Sequence, residues 1–165
     1  MDPPRRHRGK RYGHEMQVDA EITVARRRSE VFEYLARAEH LPEYMTDFAW
    51  VRQESEGAPG EGTEYSYELA RGRAKGTFRW RDFRPPSRLA WDGPPATTRL
   101  GSMEPSGWWE LSEVDGATRI RLVMAPNPGG MFKLLAPLMS AGMRKSNASS
   151  LERLKQRLER ASGSV

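Results

Sequence analysis

The sequence feature that most constrains the fold is a change in hydrophobic periodicity near residue 131. Before it, short stretches alternate apolar and polar residues and are separated by turns rich in Gly, Pro and Asp. A two-residue period indicates strands with one buried face. From Met131 to Ala161, apolar residues recur every three or four positions, which predicts one long helix. Because strands joined by short turns pair antiparallel and an amphipathic helix must bury its stripe, this order predicts an α+β fold.

The clearest alternation lies in residues 16–25, MQVDAEITVA, which predict a half-buried strand with Val18 and Val24 on the same face. The next segment, EVFEYLARA, is predicted to be a short helix capped by Ser29. PEYM predicts a further helical turn, and residues 94–106 are predicted to be mostly loop. Further strands are predicted in FAWVRQE, TEYSYELA, TFRWRDF and RLAWDG, and in a hairpin after residue 106.

The long C-terminal helix contains Pro137, which should kink the helix or mark a second start. The apolar face before Pro137 is rotated from the face after it, and this rotation also indicates a break. The earlier face consists of Met131, Leu135 and Leu138, and the later face of Met143, Asn147, Leu151, Leu154 and Leu158.

The length and composition place the chain among small single-domain proteins. A chain of 165 residues suits one domain with one core. It has no cysteine, which excludes disulfide and thiolate chemistry and is typical of a reducing compartment. No apolar run approaches the roughly 20 residues that span a bilayer, and the N-terminus lacks the apolar core of a signal peptide. We therefore expect a soluble, cytoplasmic protein.

The net charge of +5 is concentrated at the N-terminus. Residues 1–11 hold five Arg or Lys and one Asp, whereas the remaining chain is nearly neutral. Such a tail has little to bury, so residues 1–15 are predicted to be disordered, as are residues 162–165, and the domain spans 16–161. Residues 5–11 either contact nucleic acid or an anionic membrane weakly, or form a solubilising extension.

Several stretches, in this order, resemble the START/Bet v 1-like superfamily, specifically its polyketide cyclase/dehydrase and lipid-transport-like branch. The resemblance implies a helix-grip fold, in which a curved seven-stranded antiparallel sheet wraps around the long C-terminal helix, with two short helices after the first strand. It also implies a cavity for an apolar small molecule between sheet and helix. The stretches are ITVARRRSEVFEYLARAEHLPEYM, GEGTEYSYEL, RDFRPPSRLAWDG, WWELSEVDGATRIRLVM and PGGMFKLLAPLM with LERLKQRLE.

Two adjacent tryptophans, Trp108 and Trp109, precede a hairpin turn predicted at Asp115-Gly116. Neighbouring side chains of a strand point to opposite faces of the sheet. Counting from this turn, and from the last hairpin of the family, places Trp109 inward and Trp108 outward. Trp108 is then either covered by residues 94–106 or part of a surface that makes the protein a homodimer.

The candidate binding residues are mostly aromatic and are predicted either to line the cavity or to fill the core. Tyr65 and Tyr67 share one face of a strand, and Phe78 and Trp80 share one face of the next. Asn147 is a polar residue in the apolar stripe of the long helix, where it either bonds a ligand or a water or lies at the rim. The predicted ligand-binding residues are Tyr65, Tyr67, Phe78, Trp80, Trp91, Trp109, Met124, Met139, Met143 and Asn147.

The sequence shows no catalytic constellation. The histidines, His7, His14 and His40, lack metal-ligand spacing, and no nucleophile elbow, phosphate loop or dinucleotide fingerprint is present. We therefore predict no metal and no cofactor. The leading hypothesis is a protein that binds a hydrophobic small molecule of lipid, polyketide or isoprenoid type. The alternatives are a cyclase or dehydrase acting on such a molecule, and a nucleic-acid-associated protein that works through its basic tail.

Deleting residues 1–14 is expected to leave the melting temperature unchanged within error, because a segment with almost no apolar side chain adds nothing to the core. Thermal unfolding of the full chain and the deletion variant, followed by circular dichroism, measures this. A drop of several degrees would show that the segment packs against the domain.

Overall fold

The structure is a computed structural model that describes residues 16–161. It confirms the α+β class, and a 3-10 turn, Ala38–His40, joins the two short helices. The predicted disordered segments, 1–15 and 162–165, lie outside the described residues. In chain order the elements are β1 (Val18–Val24), α1 (Arg28–Ala36), α2 (Leu41–Tyr44), β2 (Phe48–Gln53), β3 (Glu64–Leu69), β4 (Lys75–Arg84), β5 (Arg88–Asp92), β6 (Ala96–Thr97), β7 (Gly101–Glu104), β8 (Ser106–Val114), β9 (Ala117–Met124), β10 (Asn127–Gly130) and α3 (Met131–Arg160).

Seven strands form one curved antiparallel sheet in the order β1-β9-β8-β5-β4-β3-β2. α3 packs along β1 at one end of this sheet and also contacts α2. A curved seven-stranded sheet, a long C-terminal helix and two short helices after the first strand are the predicted helix-grip architecture, which is confirmed. α1 contacts β8 and β9, α2 contacts β2 and α3, and both short helices contribute to the same core.

The core is built from the inward faces of the strands and the second half of α3. Leu151, Leu154 and Leu158 are buried at helical spacing and belong to one cluster with Ile120 and Leu122 of β9. α1 adds its own buried face to the same cluster. A helix of nine residues is marginally stable in isolation, and packing of this face against the core stabilises it here. The apolar side chains of α1 in the core are Val31, Phe32, Leu35 and Ala36.

The segment predicted to be mostly loop, 94–106, contains two strands. β6 and β7 pair with each other, and β7 pairs with β10 in a second, three-stranded sheet. The backbones of β7 and β10 approach so closely that a Cβ at Gly101 would collide with the carbonyl of Gly129. Because the pairing depends on residues without side chains, these strands carry little of the apolar alternation by which strands are recognised in a sequence.

The predicted Ser29 cap is wrong. α1 begins at Arg28, with Arg27 at the capping position and no side-chain capping hydrogen bond. The turn before the helix is instead held by the end of α3. Arg26 donates a hydrogen bond from Nε to the carbonyl of Leu158 at 2.6 Å, and the Ala25 amide donates to Glu159 at 2.9 Å. A long-range contact thus defines the start of this helix rather than local capping.

Of the two alternatives predicted at Pro137, a second helix start is wrong, because α3 is one helix of 30 residues that includes Pro137. A proline in a helix removes one backbone hydrogen bond but does not force the helix to end. The apolar stripe before Pro137 is rotated from the later stripe because it is not part of the core. Its residues Met131, Leu135 and Leu138 are exposed to solvent.

The tryptophan pair lies as predicted on opposite faces of β8. Trp109 is only 2% exposed and packs edge-on against Tyr44, with ring centroids 6.1 Å apart. Trp108 is half-buried between its cross-strand neighbours Ala90 and Val123. The turn at Asp115 and Gly116 has positive φ at both residues, 49° and 78°, as a type I′ hairpin requires.

The outward Trp108 has charged partners from its own sheet. The Arg88 guanidinium lies 5.2 Å from the centre of the Trp108 ring, and the indole N–H donates to Glu110 at 3.0 Å. Glu110 also accepts hydrogen bonds from Arg88 and Arg121. Such a cation–π contact contributes about 0.5–1 kcal/mol at an exposed site.

The two tryptophans are expected to respond unequally to truncation. Trp109→Ala should cost about 3–5 kcal/mol of unfolding free energy, because it empties a buried site. Trp108→Ala should cost less than half as much, because its ring is partly in water in the folded state. Urea denaturation of both variants under the same conditions measures the difference, and equal losses would contradict the assigned faces.

Candidate functional site

An apolar cavity of about 120 Å³ lies on the inner side of the sheet, between β3, β4, β5, β8 and β9 and the α2–β2 segment. Six of the ten predicted binding residues line it: Tyr67, Phe78, Trp80, Trp91, Trp109 and Met124. The remaining lining residues come from α2, from the α2–β2 connection and from the same strands: Leu41, Met45, Phe48, Leu69, Thr77, Pro105 and Leu122.

The cavity wall is a chain of aromatic rings in edge-to-face contact. The ring centroids of Phe48 and Tyr67 are 5.4 Å apart, and those of Phe78 and Trp91 are 6.1 Å apart. Phe78 also meets Trp80 edge-on at 5.9 Å. Edge-to-face contacts hold rings in defined orientations, so the wall is rigid and apolar. This arrangement suits the binding of another ring or of a hydrocarbon chain.

The position of the Tyr67 ring depends on a glycine in the neighbouring strand. Tyr67 pairs with Gly76, and a Cβ at position 76 would collide with the Tyr67 hydroxyl. The ring therefore lies across β4 where a side chain is missing. Sequence reasoning did not select Gly76, although a glycine inside a strand is a known signal of close approach by another group.

The cavity contains few polar groups. Its lining residues include Tyr67 and Thr77 and no Asp, Glu, His, Lys or Arg. Thr77 is exposed and lies on the face of β4 opposite to the buried Phe78 and Trp80, so its side chain points away from the cavity. Burial raises the pKa of the Tyr67 phenol, so it stays protonated at neutral pH and can donate a hydrogen bond. The indole N–H of Trp80 is already bonded to the Ala36 carbonyl at 3.1 Å. Tyr67 is thus the main polar side chain for orienting a bound molecule.

Tyr65 is not among the cavity-lining residues, although its side chain faces the same side of β3 as Tyr67. Its ring stacks on Phe78 with centroids 5.1 Å apart. The hydroxyl lies 3.3 Å from the Ala36 carbonyl and 3.4 Å from Gln53 Oε1. Burial raises the pKa of Tyr65 to about 12. This side chain joins the sheet to α1.

The three predicted residues of α3, namely Met139, Met143 and Asn147, are also not among the lining residues. Met139 and Met143 are half-buried. Asn147 is 6% exposed, and its Nδ2 is the one buried side-chain polar atom without a hydrogen-bond partner within residues 16–161. An unpaired buried polar group costs about 1–3 kcal/mol, so Asn147 marks a position where the core lacks a polar partner.

A larger and open cleft of about 810 Å³ adjoins the apolar cavity beside β3, β4 and β5, and the two share Thr77, Phe78 and Pro105. Tyr65, one of the predicted binding residues, lines this cleft. Its lining is mostly charged or polar and includes Glu64, Arg79 and Asp92. Arg79 is paired with Asp92 at 3.0 Å. A cleft lined by paired charges does not favour an apolar ligand, so the smaller aromatic cavity is the better candidate site.

A cluster of titratable groups outside the cavity, Tyr34, Glu43 and Arg157, joins the three helices. Glu43 of α2 accepts hydrogen bonds from the Tyr34 hydroxyl and from Arg157, the latter at 2.8 Å. The hydrogen bond from Arg157 is the main cause that lowers the pKa of Glu43. The cluster does not line the cavity, and its carboxylate is engaged in holding α1, α2 and α3 together. Residues 16–161 contain no group of three or more potential metal ligands.

A curved antiparallel sheet, a long C-terminal helix and an aromatic cavity on the inner side of the sheet define the helix-grip class of folds. Within this class, the chain belongs to the family described as polyketide cyclase/dehydrase and lipid transport, whose family model matches residues 15–159. No curated protein sequence matches the chain significantly.

Several solved structures share the fold of this chain. The di-domain ARO/CYC BexL of the BE-7585A biosynthetic pathway is similar, with a TM-score of 0.69 and 20% identity over 87% of this chain, which covers 46% of BexL. The Zhui aromatase/cyclase of Streptomyces sp. R1128 is similar with a TM-score of 0.67 and 16% identity, over 87% of this chain and 93% of that one. TTHA0849 of Thermus thermophilus has a TM-score of 0.67 and 19% identity, over 88% of this chain and 99% of that one. These similarities establish the fold.

Replacing Asn147 by leucine is expected to increase the free energy of unfolding by about 1 kcal/mol, because the substitution removes an unpaired buried amide and keeps most of its volume. Urea denaturation measures the change. Asn147→Ala serves as a control that removes the same amide but leaves a void, so it should be less stable than the leucine variant. Clear destabilisation by leucine would show that the amide has a partner such as a buried water.

Proposed function

We propose that this protein binds a hydrophobic small molecule of lipid, polyketide or isoprenoid type in the aromatic cavity, with Tyr67 as its polar contact. The single observation that carries the proposal is the lining, in which aromatic and aliphatic side chains accompany one neutral phenol, that of Tyr67. Pockets of this kind take up apolar molecules and orient them with a few polar groups. The family match supports the same class of ligand.

The volume limits what fits in the observed state. A cavity of about 120 Å³ is close to the roughly 150 Å³ of an engineered apolar cavity that holds benzene. The site therefore accommodates a single ring, or one end of a longer molecule. A larger ligand requires movement of a wall, and the half-buried rings of Phe48 and Tyr67 are the outermost parts of that wall.

Cyclisation or dehydration of a polyketide-like substrate is the second candidate. The family name and the aromatase/cyclases among the similar structures favour it. Among the residues that line this cavity, the inward-facing side chain with a hydroxyl proton for transfer to a substrate oxygen is Tyr67. Turnover of a polyketide-type substrate that is lost in Tyr67→Phe would favour the enzyme, whereas binding without turnover favours the carrier.

The partners proposed for residues 5–11 concern a part of the chain outside the described residues. Binding of nucleic acid through this basic segment should weaken steeply with added salt and disappear when the segment is deleted. This test is independent of the cavity, so it separates the third hypothesis from the other two.

Binding of two matched probes tests the proposed role of the cavity. 4-Ethylphenol and ethylbenzene differ by one hydroxyl and have the size of the cavity. Both should bind near one-to-one and change the tryptophan fluorescence, since Trp80, Trp91 and Trp109 line the site. Tyr67→Phe should weaken binding of 4-ethylphenol about fivefold, the equivalent of one hydrogen bond of roughly 1 kcal/mol, and leave ethylbenzene unchanged.

Tyr65→Phe is the matched control, because it removes a hydroxyl that bonds α1 rather than the cavity. It should lower the unfolding free energy by about 1 kcal/mol without changing the affinity for either probe. Failure of both probes to bind the wild-type chain would contradict the cavity as a binding site.

A further inference from the structure

All the large apolar side chains that are exposed within residues 16–161 lie at one place, around the start of α3. They are Leu100, Met131, Leu134, Leu135 and Leu138. Leu134 and Leu138 are 79% and 74% exposed. Leu100 adjoins the helix because its carbonyl accepts the amide hydrogen of Met131 at 2.9 Å. We call these five side chains the leucine patch.

The leucine patch faces away from the rest of the protein. At about 100° per residue, Leu134 and Leu138 lie on the side of α3 opposite to the buried Leu154 and Leu158. In the second half of the helix, the same outward side carries the exposed residue Gln156. The outward face is therefore apolar in the first turns and polar thereafter, so the exposure is a local property of the first half of the helix.

The surroundings of the leucine patch are positively charged. The 94–103 segment and residues 131–145 of α3, which carry the leucine patch, contain four basic residues, Arg99, Lys133, Arg144 and Lys145, and no acidic one. The neighbouring carboxylates Glu104 and Asp47 accept hydrogen bonds from Asn127 and Ser146. Arg99 is adjacent to Leu100, and Lys145 continues the line of Leu134 and Leu138 along the helix. Both cationic side chains are exposed. An apolar stripe with cationic neighbours is complementary to an anionic lipid surface.

Other covers for the leucine patch are disfavoured by composition and charge. The residues outside the described range, 1–15 and 162–165, are mostly charged, Gly, Pro or Ser and offer little apolar area. A second copy packed symmetrically on Leu134 and Leu138 would bring the two sets of Arg99 and Lys145 close together, and repulsion between these like charges opposes that pairing.

We propose that the first half of α3 docks on an anionic membrane surface, with Leu134 and Leu138 inserted below the headgroups and Arg99 and Lys145 contacting them. The helix lies along the surface, and no helix within residues 16–161 is long and apolar enough to cross a bilayer. Docking of this kind combines buried apolar area with attraction to anionic lipid. It does not depend on what the cavity binds.

A fluorophore on the helix tests the contact directly. The chain has no cysteine, so Leu138→Cys and Gln156→Cys each provide a single labelling site on the outward face of α3. With an NBD label and vesicles of phosphatidylcholine and phosphatidylglycerol at 3:1, emission should rise and shift to the blue at position 138 only. No change at position 138, or equal changes at both positions, would overturn the proposal.

Vesicle co-sedimentation of unlabelled full chain provides the quantitative test. Leu134→Gln with Leu138→Gln, which preserves the net charge and the basic N-terminal segment, should weaken partitioning about tenfold or more. Unchanged partitioning would assign vesicle binding to the N-terminal segment and overturn the proposal.

A pair of charge variants locates the electrostatic contribution. Arg99→Gln with Lys145→Gln should weaken partitioning about thirtyfold, because each of the two cations at the surface contributes about 1 kcal/mol. Lys155→Gln with Arg160→Gln lowers the net charge equally and should have little effect. Equal effects of the two pairs would overturn the proposal, as would a dimer on a sizing column that the Leu134→Gln and Leu138→Gln variant converts to monomer.

Discussion

The carbonyl of Ala36, at the end of α1, is the acceptor on which the arrangement of the site depends. The last carbonyls of a helix have no partner within the helix and must find one elsewhere. Here the indole N–H of Trp80 donates at 3.1 Å, and the Tyr65 hydroxyl lies within 3.3 Å. Trp80 is almost completely buried, so water cannot readily replace it. The sheet therefore holds the end of α1, and with it the following α2, over its inner face.

This attachment divides the aromatic residues between structure and binding. The polar atoms of Tyr65 and Trp80 are used to hold α1, whereas the Trp80 ring still lines the cavity. Tyr67, two residues after Tyr65, keeps a hydroxyl at the cavity because Gly76 leaves room for its ring. Two tyrosines on one face of one strand thus have different roles. The difference arises from what each hydroxyl meets across the fold, since their local sequence positions are equivalent.

The accuracy of the sequence-based predictions follows from how local each interaction is. Strand phase depends on a two-residue period within one segment, and the faces of Trp108 and Trp109 were predicted correctly. The start of α1 depends on Arg26 reaching the end of α3, more than 100 residues away, and the Ser29 cap was wrong. The second sheet depends on glycines that let two backbones meet, so the pairing of β7 with β10 was missed.

The sequence by itself determined the α+β class, the order of the seven main strands and the helices, and the faces of those strands, because hydrophobic periodicity is a local property of the chain. Only the tertiary structure decided which aromatic residues share a cavity, that the buried Asn147 amide lacks a partner and which apolar stripe of α3 meets solvent. A helical pattern shows that Leu134 and Leu138 lie on one face, but not whether another element covers that face. In this fold the buried residues of α3 all lie in its second half, from Asn147 to Leu158. The first half of the helix is not covered on its outward face and is exposed to solvent.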